Sequence, residues 1–252
     1  MKEFNKLVEL PAKGRAFIVT DIHGHWDDYQ KYLELWDEFG KDNHFILTGD
    51  FIHSIEPDDG SLEIIESVKE HYENEDNFHV LLGNHEWAQL TGTSVYKAGY
   101  NQNFQYLNLL EEEYGEHADD KLHTYNDLFK KLAIAVRTRN RVLISHAGPS
   151  KSLKSPDDIK NITDYNHDRV LYEMLWDRNY SLSRNYLDPF LKKFGCKTSI
   201  VGHTPVDGVE LNGNQLVVSS SFGMGKKAYV ELDLEARINT GRDLLDMVRY
   251  LE

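Results

Sequence analysis

What the chain is short of narrows the field first. It has one cysteine, Cys196, in 252 residues, so no internal disulfide can form and a reducing cytoplasm is the expected setting. Cys196 follows Gly195 at the entrance of a strand-like run, where a buried, inert thiol is expected. No stretch approaches the roughly 20 apolar residues that cross a bilayer, so no membrane association is expected. The start, Met1 to Glu9, already carries acids and has no apolar stretch of signal-peptide length. Bases are scarce: 28 Lys and Arg stand against 42 Asp and Glu, a net charge of −14. Long nucleic acids bind largely by having their phosphates neutralised by Lys and Arg, so no such partner is expected. A small phosphorylated ligand is compatible with this charge, because bound divalent metals would dominate the local field. Repeats, low-complexity tracts and Pro/Gly/Ser-rich linkers are absent too, which favours a single domain over residues 1–252.

What is present is an ordinary core, with 40% hydrophobic and 12% aromatic residues, arranged in two patterns. Short apolar runs, Arg15–Thr20, His44–Thr48 and Phe78–Leu82, read as buried strands. Ile65, Val68 and Tyr72 fall at helical spacing, and Tyr125, Leu128, Phe129 and Leu132 repeat the pattern of a core-facing helix. Leu132–Val136 and Arg141–Ser145, joined by a polar turn, predict a hairpin. Thr198–Val201, Gln215–Ser219 and Ala228–Leu232 predict further strands, and Leu244, Val248 and Leu251 a closing helix. The fold class expected is α/β (α+β): two mixed sheets packed face to face as a sandwich, with helices outside. A helical insertion is expected at about 87–131, its acids Glu111, Glu112, Glu113, Asp119 and Asp120 forming a solvated face.

The residues able to do chemistry stand where apolar runs end. Asp21-Ile-His23-Gly24 follows the first strand, Gly49-Asp50 the second and Gly83-Asn84-His85-Glu86 the third. His146-Ala-Gly148 and Gly202-His203-Thr204 follow two later ones. Sites gather at the carboxyl ends of strands, where loops aim side chains without breaking the ladder. A lone Gly-Asp is turn chemistry, and a lone Asp-x-His is a turn with a satisfied imidazole. The tetrapeptide Gly-Asn-His-Glu is sharper, arising by chance in about one chain in several hundred of this length. Five such segments in order point to a metal site.

Together they resemble the calcineurin-like metallophosphoesterases, in particular the phosphoprotein-phosphatase branch with its bacterial and phage members. The resemblance runs from Asp21 to Thr204 and implies two divalent ions bridged by Asp50. Asp21 and His23 would complete the first site, and Asn84, His146 and His203 the second. A mixed oxygen and imidazole set suits Mn²⁺, Fe or Zn²⁺ better than Ca²⁺, with Mn²⁺ placed first. The resemblance makes His85 the general acid and Arg178, in Leu175-Trp176-Asp177-Arg178, a phosphate clamp. Asp50, His85 and Arg178 are the expected catalytic set, and Asn84, Arg178 and His53 the expected substrate contacts. Glu86 is expected to orient its neighbours rather than bind metal. The implied function is hydrolysis of phosphate monoesters on a phosphoprotein or a phosphorylated small molecule. Phosphodiester or dinucleotide-polyphosphate hydrolysis, and a non-catalytic metal-containing interaction module, are the alternatives.

The chain departs from that family after the second strand, and again near the end, where Val218-Ser219-Ser220-Ser221-Phe222 stands in a stretch that often holds an acid. The usual Gly-Asp-x-x-Asp-Arg-Gly reads Gly49-Asp50-Phe51-Ile52-His53-Ser54 here. A histidine stands where an acid would orient His85, and a serine where an arginine would hold phosphate.

Overall fold

In the computed structural model, residues 5–40, 42–54, 56, 58–179 and 184–251 are described. Two mixed sheets form the body. One takes the order β1 (Leu7–Glu9), β7 (Ala135–Arg137), β8 (Val142–Ser145), β9 (Thr198–Val201), β11 (Gln215–Val218), β10 (Val209–Asn212). The other runs β13 (Val248–Tyr250), β12 (Ala228–Asp233), β2 (Arg15–Val19), β3 (His44–Leu47), β4 (Phe78–Val80). Strands β2, β3 and β4 are mutually parallel, as are β8, β9 and β11. Within each sheet the carboxyl ends of these strands therefore open on one edge.

The period of two along each strand divides the core. Ala16 and Ile18 of β2, Ile46 of β3, Val142 and Ile144 of β8 and Ile200 of β9 belong to one apolar cluster, with Leu216, Val218 and Val230. These residues face each other between the sheets. The alternate residues, Phe17, Val19, Phe45, Leu47 and Leu143, belong to a second cluster shared with the helices. Helices α1 (Trp26–Gly40) and α2 (Ser61–Asn74) cover that face with Tyr29, Tyr32 and Trp36, and with Ile65, Val68 and Tyr72. The stacked pair Phe45 and Phe78, ring centroids 4.8 Å apart, anchors the layer. Truncating one such buried ring to alanine costs about 3–5 kcal/mol. The hairpin expected at 132–145 is present, with β7 antiparallel to β8.

The stretch where an insertion is expected holds α3 (Asn84–Thr91), a hairpin of β5 (Tyr96–Lys97) and β6 (Tyr100–Asn101), α4 (Gln102–Tyr114) and α5 (Ala118–Lys131). Tyr125, Leu128 and Phe129 are buried as their spacing required, while Glu111, Glu112, Glu113, Asp119 and Asp120 are exposed. The closing helix is a correction. Gly241–Met247 is a 3₁₀ segment, and Val248 begins β13, which pairs antiparallel with β12 along the sheet edge. Three apolar residues at positions 244, 248 and 251 fit a helix, but the open edge of β12 offers the segment a ladder instead. No helix among the described residues is long and apolar enough to cross a membrane.

Candidate metal centre

The loops leaving β2, β3, β4, β8 and β9 bring Asp21, His23, Asp50, Asn84, His85, His146 and His203 together. The backbone there is forced into unusual shapes. His23, Asp50 and His203, and also His53, have φ between 49° and 69°, a left-handed conformation costing non-glycine residues about 1–3 kcal/mol each. Two glycines make the close approach workable. A Cβ on Gly83 would overlap the Asp50 amide and carboxylate, and one on Gly202 would overlap the Asp21 carboxylate.

Asp50, only 2% exposed, is the hub. Its Oδ2 lies 3.5 Å from His146 Nε2, 3.8 Å from His23 Nε2 and 4.0 Å from His85 Nε2. Its Oδ1 accepts a hydrogen bond from the His85 amide at 2.9 Å. Two groups of possible ligands follow, His23 with Asp50 and His85, and Asp50 with His146 and His203. Asp50 is common to both, so one carboxylate can serve two ions. Asp21 is placed differently: both of its oxygens accept from the His203 amide, at 2.9 Å each. His23 Nδ1 sits 3.4 Å from the Ile52 carbonyl.

Beneath the hub, Glu86 is fully buried and accepts from the amides of Gly83, Asp50, Phe51 and Ile52 at 2.8–3.3 Å. It fixes the two loops to each other and presents no oxygen to the ligand cluster's centre, as an orienting group would. Burial and the Asp50 charge push its carboxyl up to about 7, with the Asp50 and Phe51 amides pulling the other way.

The donor set fits a bound cation. His146 Nδ1 is 3.1 Å from the Thr48 carbonyl, which assigns the proton to Nδ1 and leaves the Nε2 lone pair facing inward. That lone pair meets the Asn84 Oδ1 acceptor at 2.9 Å and His203 Nδ1 at 3.2 Å, besides Asp50. Acceptors crowded on acceptors repel unless a cation sits among them. Burial drives His23, His85, His146 and His203 below the usual imidazole range. Burial, then the neighbouring Asp21 charge, pushes Asp50 well above the carboxylate range. Neutral imidazoles suit metal ligation, and a bound dication would return Asp50 to its charged form. The residues present fit a pair of divalent ions.

The departure from the family motif lies just behind this cluster. His53, expected at the substrate, is 2% exposed and stands behind His85, their Nδ1 atoms 3.0 Å apart. Its ring also meets Tyr106 of α4 edge-on, 5.5 Å between centroids. Burial pushes His53 down to about 3, while Gln89 favours its charged form less strongly. One of the two Nδ1 atoms must donate to the other, and with a neutral His53 the contact can fix the His85 ring without bringing a charge; His85 Nε2 lies on the Asp50 side, 4.0 Å from Oδ2.

Arg178 is exposed and tied to the centre's rim, with Nε donating to Thr204 Oγ1 at 3.1 Å and Nη2 to the His203 carbonyl at 3.4 Å. Trp176 packs edge-on to the His203 ring, centroids 5.9 Å apart. A cleft lined by Ala147, Gly148, Arg178, His203 and Thr204 runs alongside. Among the other histidines, His25 follows the His23-Gly24 turn, its amide donating to the Ile22 carbonyl at 3.2 Å, whereas His44 and His79 pair with each other at 3.0 Å between ring nitrogens.

Lys97, Tyr106 and Gln89, all carried by the insertion, stand near the centre without belonging to any of the motifs that mark it. No local pattern singles them out, since each reaches the centre only through tertiary packing.

The family profile described as calcineurin-like phosphoesterase matches residues 14–207. A probable serine/threonine-protein phosphatase of Encephalitozoon cuniculi is 24% identical over 177 residues, covering 68% of this chain and 35% of that protein. A Caenorhabditis elegans serine/threonine-protein phosphatase is 27% identical over 154 residues, covering 59% and 30%. The chain thus spans about a third of the length of these curated relatives. Among solved structures, a protein serine/threonine phosphatase of Saccharomyces cerevisiae superposes with a TM-score of 0.69 at 21% identity, covering 90% of this chain and 76% of that one. A cold-active protein-tyrosine phosphatase of a psychrophilic Shewanella gives 0.60 at 17% identity, covering 98% and 82%.

Proposed function

This chain belongs to the calcineurin-like phosphoesterases, and from that premise we propose that it is a metal-dependent hydrolase of phosphate monoesters, of serine/threonine-phosphatase type. The observation that carries the proposal is Asp50 Oδ2, shared between two histidine-containing ligand groups at the strand ends. Asp50 would be shared by two ions, His23 and Asp21 would hold one of them, and Asn84, His146 and His203 the other. Two divalent ions so held supply an activated water and positive charge for the phosphoryl oxygens. Mn²⁺ suits the mixed oxygen and nitrogen donors.

The chain's own residues do the rest. Arg178, fixed by Thr204 and the His203 carbonyl, binds phosphoryl oxygens at the rim. His85, as the imidazolium, gives its Nε2 proton to the leaving oxygen and keeps its Nδ1 proton on His53. A neutral His53 stabilises the imidazolium less than a carboxylate would, so leaving groups that need little protonation, such as aryl oxides, should be favoured. The wall formed by α4 and α5 shares one apolar cluster with the sheets through Tyr106, Leu110, Tyr125 and Phe129, which supports a single domain carrying an insertion. The lone buried Cys196 suits a reducing cytoplasm.

The test is hydrolysis of an aryl phosphate, its bis-aryl diester and a phosphopeptide, each with added Mn²⁺ and again with chelator. Chelator-sensitive turnover of the monoesters ahead of the diester is expected. Faster diester turnover would favour a phosphodiesterase, and no turnover of any ester by a fully metallated protein would defeat the enzyme reading.

A further inference from the structure

The hairpin of β5 and β6 turns through Ala98 and Gly99, at φ of 50° and 86°, the backbone of a two-residue type I′ turn. Alanine is a strained choice at such a position, so the surroundings must hold the turn in shape. They do so at its root. The Val95 amide donates to Asn103 Oδ1 at 3.0 Å, the Gln102 amide to the Val95 carbonyl at 2.9 Å, and Asn101 Oδ1 caps α4 by accepting from the Phe104 amide at 3.2 Å. Helix α4 is in turn seated on the centre through the contact between Tyr106 and His53. The hairpin is therefore tied to the centre by a short chain of contacts.

Within the hairpin, Tyr96, Ala98, Gly99 and Tyr100 are exposed, yet Lys97 is half-buried. A flexible ammonium that could reach water has instead turned inward. Its charge bears on Asp50, Asp21 and Glu56, and on His23, His53 and His85. Arg178 bears on His146 and His203. The two cations thus divide the centre, one to each half. Among the described residues Lys97 Nζ makes neither a hydrogen bond nor an ion pair. Once Asp21 and Asp50 are engaged by metal ions, the exposed Glu56 is the remaining anion of those three. A half-buried ammonium beside two dications gains from an incoming anion.

Ser54 explains why a second cation is needed from elsewhere. It is 5% exposed, its hydroxyl accepts from the Glu56 amide at 3.0 Å, and its Cβ packs on Gly24, where an added Cβ would come within 2.8 Å. A longer side chain there would give up the bond to the Glu56 amide and crowd Gly24.

We propose that Lys97 is the second phosphate-binding cation of this centre, reaching in from the insertion to grip the phosphoryl group opposite Arg178, and that it selects monoester dianions over diesters. The inference rests on the phosphatase reading. A monoester dianion presents three charged oxygens, enough for two ions and two flanking cations, whereas a diester leaves one oxygen fewer for Lys97. The arginine missing at position 54 is thereby replaced in charge, though from a different element of the fold.

The experiment uses metal-loaded wild type, Lys97→Met and Lys97→Arg. Inorganic phosphate binding is measured by calorimetry, and kcat and KM with an aryl monoester and its bis-aryl diester. Lys97→Met should weaken phosphate binding and raise the monoester KM by about 10-fold or more, with kcat changed less, the diester KM nearly unmoved and bound metal as in wild type. Lys97→Arg should recover most of the loss. Equal phosphate affinity in wild type and Lys97→Met overturns the role of Lys97 while leaving the phosphatase reading intact. Loss of metal from Lys97→Met also overturns it, since Lys97 would then be supporting the ligands. Wild type that neither binds phosphate nor hydrolyses an ester defeats the phosphatase reading, and this inference with it. If Lys97→Met melts too early, Lys97→Gln, assayed below its own melting midpoint, takes its place.

Discussion

Asn84, His146 and His203 on one side of Asp50, and His23, His85 and His53 on the other, are two halves of one centre held in different ways. On the first side backbone groups share in the locks on His146, His203 and Arg178: the Thr48 carbonyl holds His146, the His203 amide bonds Asp21, and Arg178 reaches the His203 carbonyl as well as Thr204 Oγ1. Every one of those partners lies on a strand end or the turn after it. On the second side His23 also leans on a backbone carbonyl, that of Ile52, but the other locks are side chains: His85 on His53, and His53 against Tyr106 and near Gln89. Backbone locks depend on the fold and survive substitution. Side-chain locks change with the sequence, and it is on that side that the chain departs from its family. The ligand pattern is thus kept on both halves, and what is retuned is the group behind His85 on the adjustable half, the one that touches α4.

Asp50→Asn should have the largest effect because both halves use it. Bound metal should fall below two ions per chain and aryl phosphate hydrolysis drop by more than about 1000-fold. Two tightly held ions in that variant, by elemental analysis, would mean that Asp50 does not bridge. Next comes Arg178→Ala, on the rigid half. It should raise KM for monoesters by about 10- to 100-fold while sparing metal content, and a loss of metal instead would recast Arg178 as a structural tie.

On the adjustable half, His53→Ala should leave both ions in place and slow alkyl phosphate turnover by about 10-fold or more, with aryl substrates less affected. Equal losses on alkyl and aryl esters would remove His85 from leaving-group protonation. His53→Asp, which returns a charge behind His85, should shift the preference back toward alkyl esters. Adding Ser54→Arg should not help. An arginine at that packed position costs about 1–3 kcal/mol in overpacking, so the double variant should melt below His53→Asp alone. A double variant at least as stable would show the loop to be more accommodating than its packing indicates.

The smallest effect should fall on the scaffold behind the rigid half. Glu173, on the helix α7 (Arg169–Trp176) that leads to Arg178, accepts from Ser150 Oγ, the Ser152 amide, Ser152 Oγ and Arg169 Nε at 2.7–3.0 Å. Burial works to raise its carboxyl, but these bonds outweigh it and hold it down at about 2, against 4.5 when unperturbed. A depressed folded-state value stabilises the fold above the unfolded value, and that stability disappears as pH falls from about 4.5 toward 2. Glu173→Gln should cost about 1.5–3 kcal/mol near neutral pH and flatten stability across that acid window. Chemical denaturation at pH 7 and pH 3 reads the difference, and a parallel loss at both values would assign the cost to packing alone.

Much of the rigid half is legible in the order of residues alone. Each ligand type follows an apolar run and adjoins a glycine, and a strand, a turn and a side chain aimed from it are local events that a dozen residues specify. The alternation of Ala16, Phe17, Ile18 and Val19 likewise dictates which side chains face the second sheet and which face helices. Val248 departs from the helix its spacing predicts because periodicity counts spacing only, whereas the unpaired edge of β12 decides whether such a segment coils or extends. The adjustable half is legible only as a mismatch. His53 and His85 are 32 positions apart in the chain, and that they share a hydrogen bond follows from how two loops meet on Glu86. Lys97 reads as a surface lysine in a hairpin, since its inward course depends on α4 resting against His53. The chain's residue order therefore specifies which groups can bind metal, because strand, turn and ligand are written contiguously. Which partners orient those groups, and which cation faces them, depends on packing, because these contacts join segments far apart in the chain.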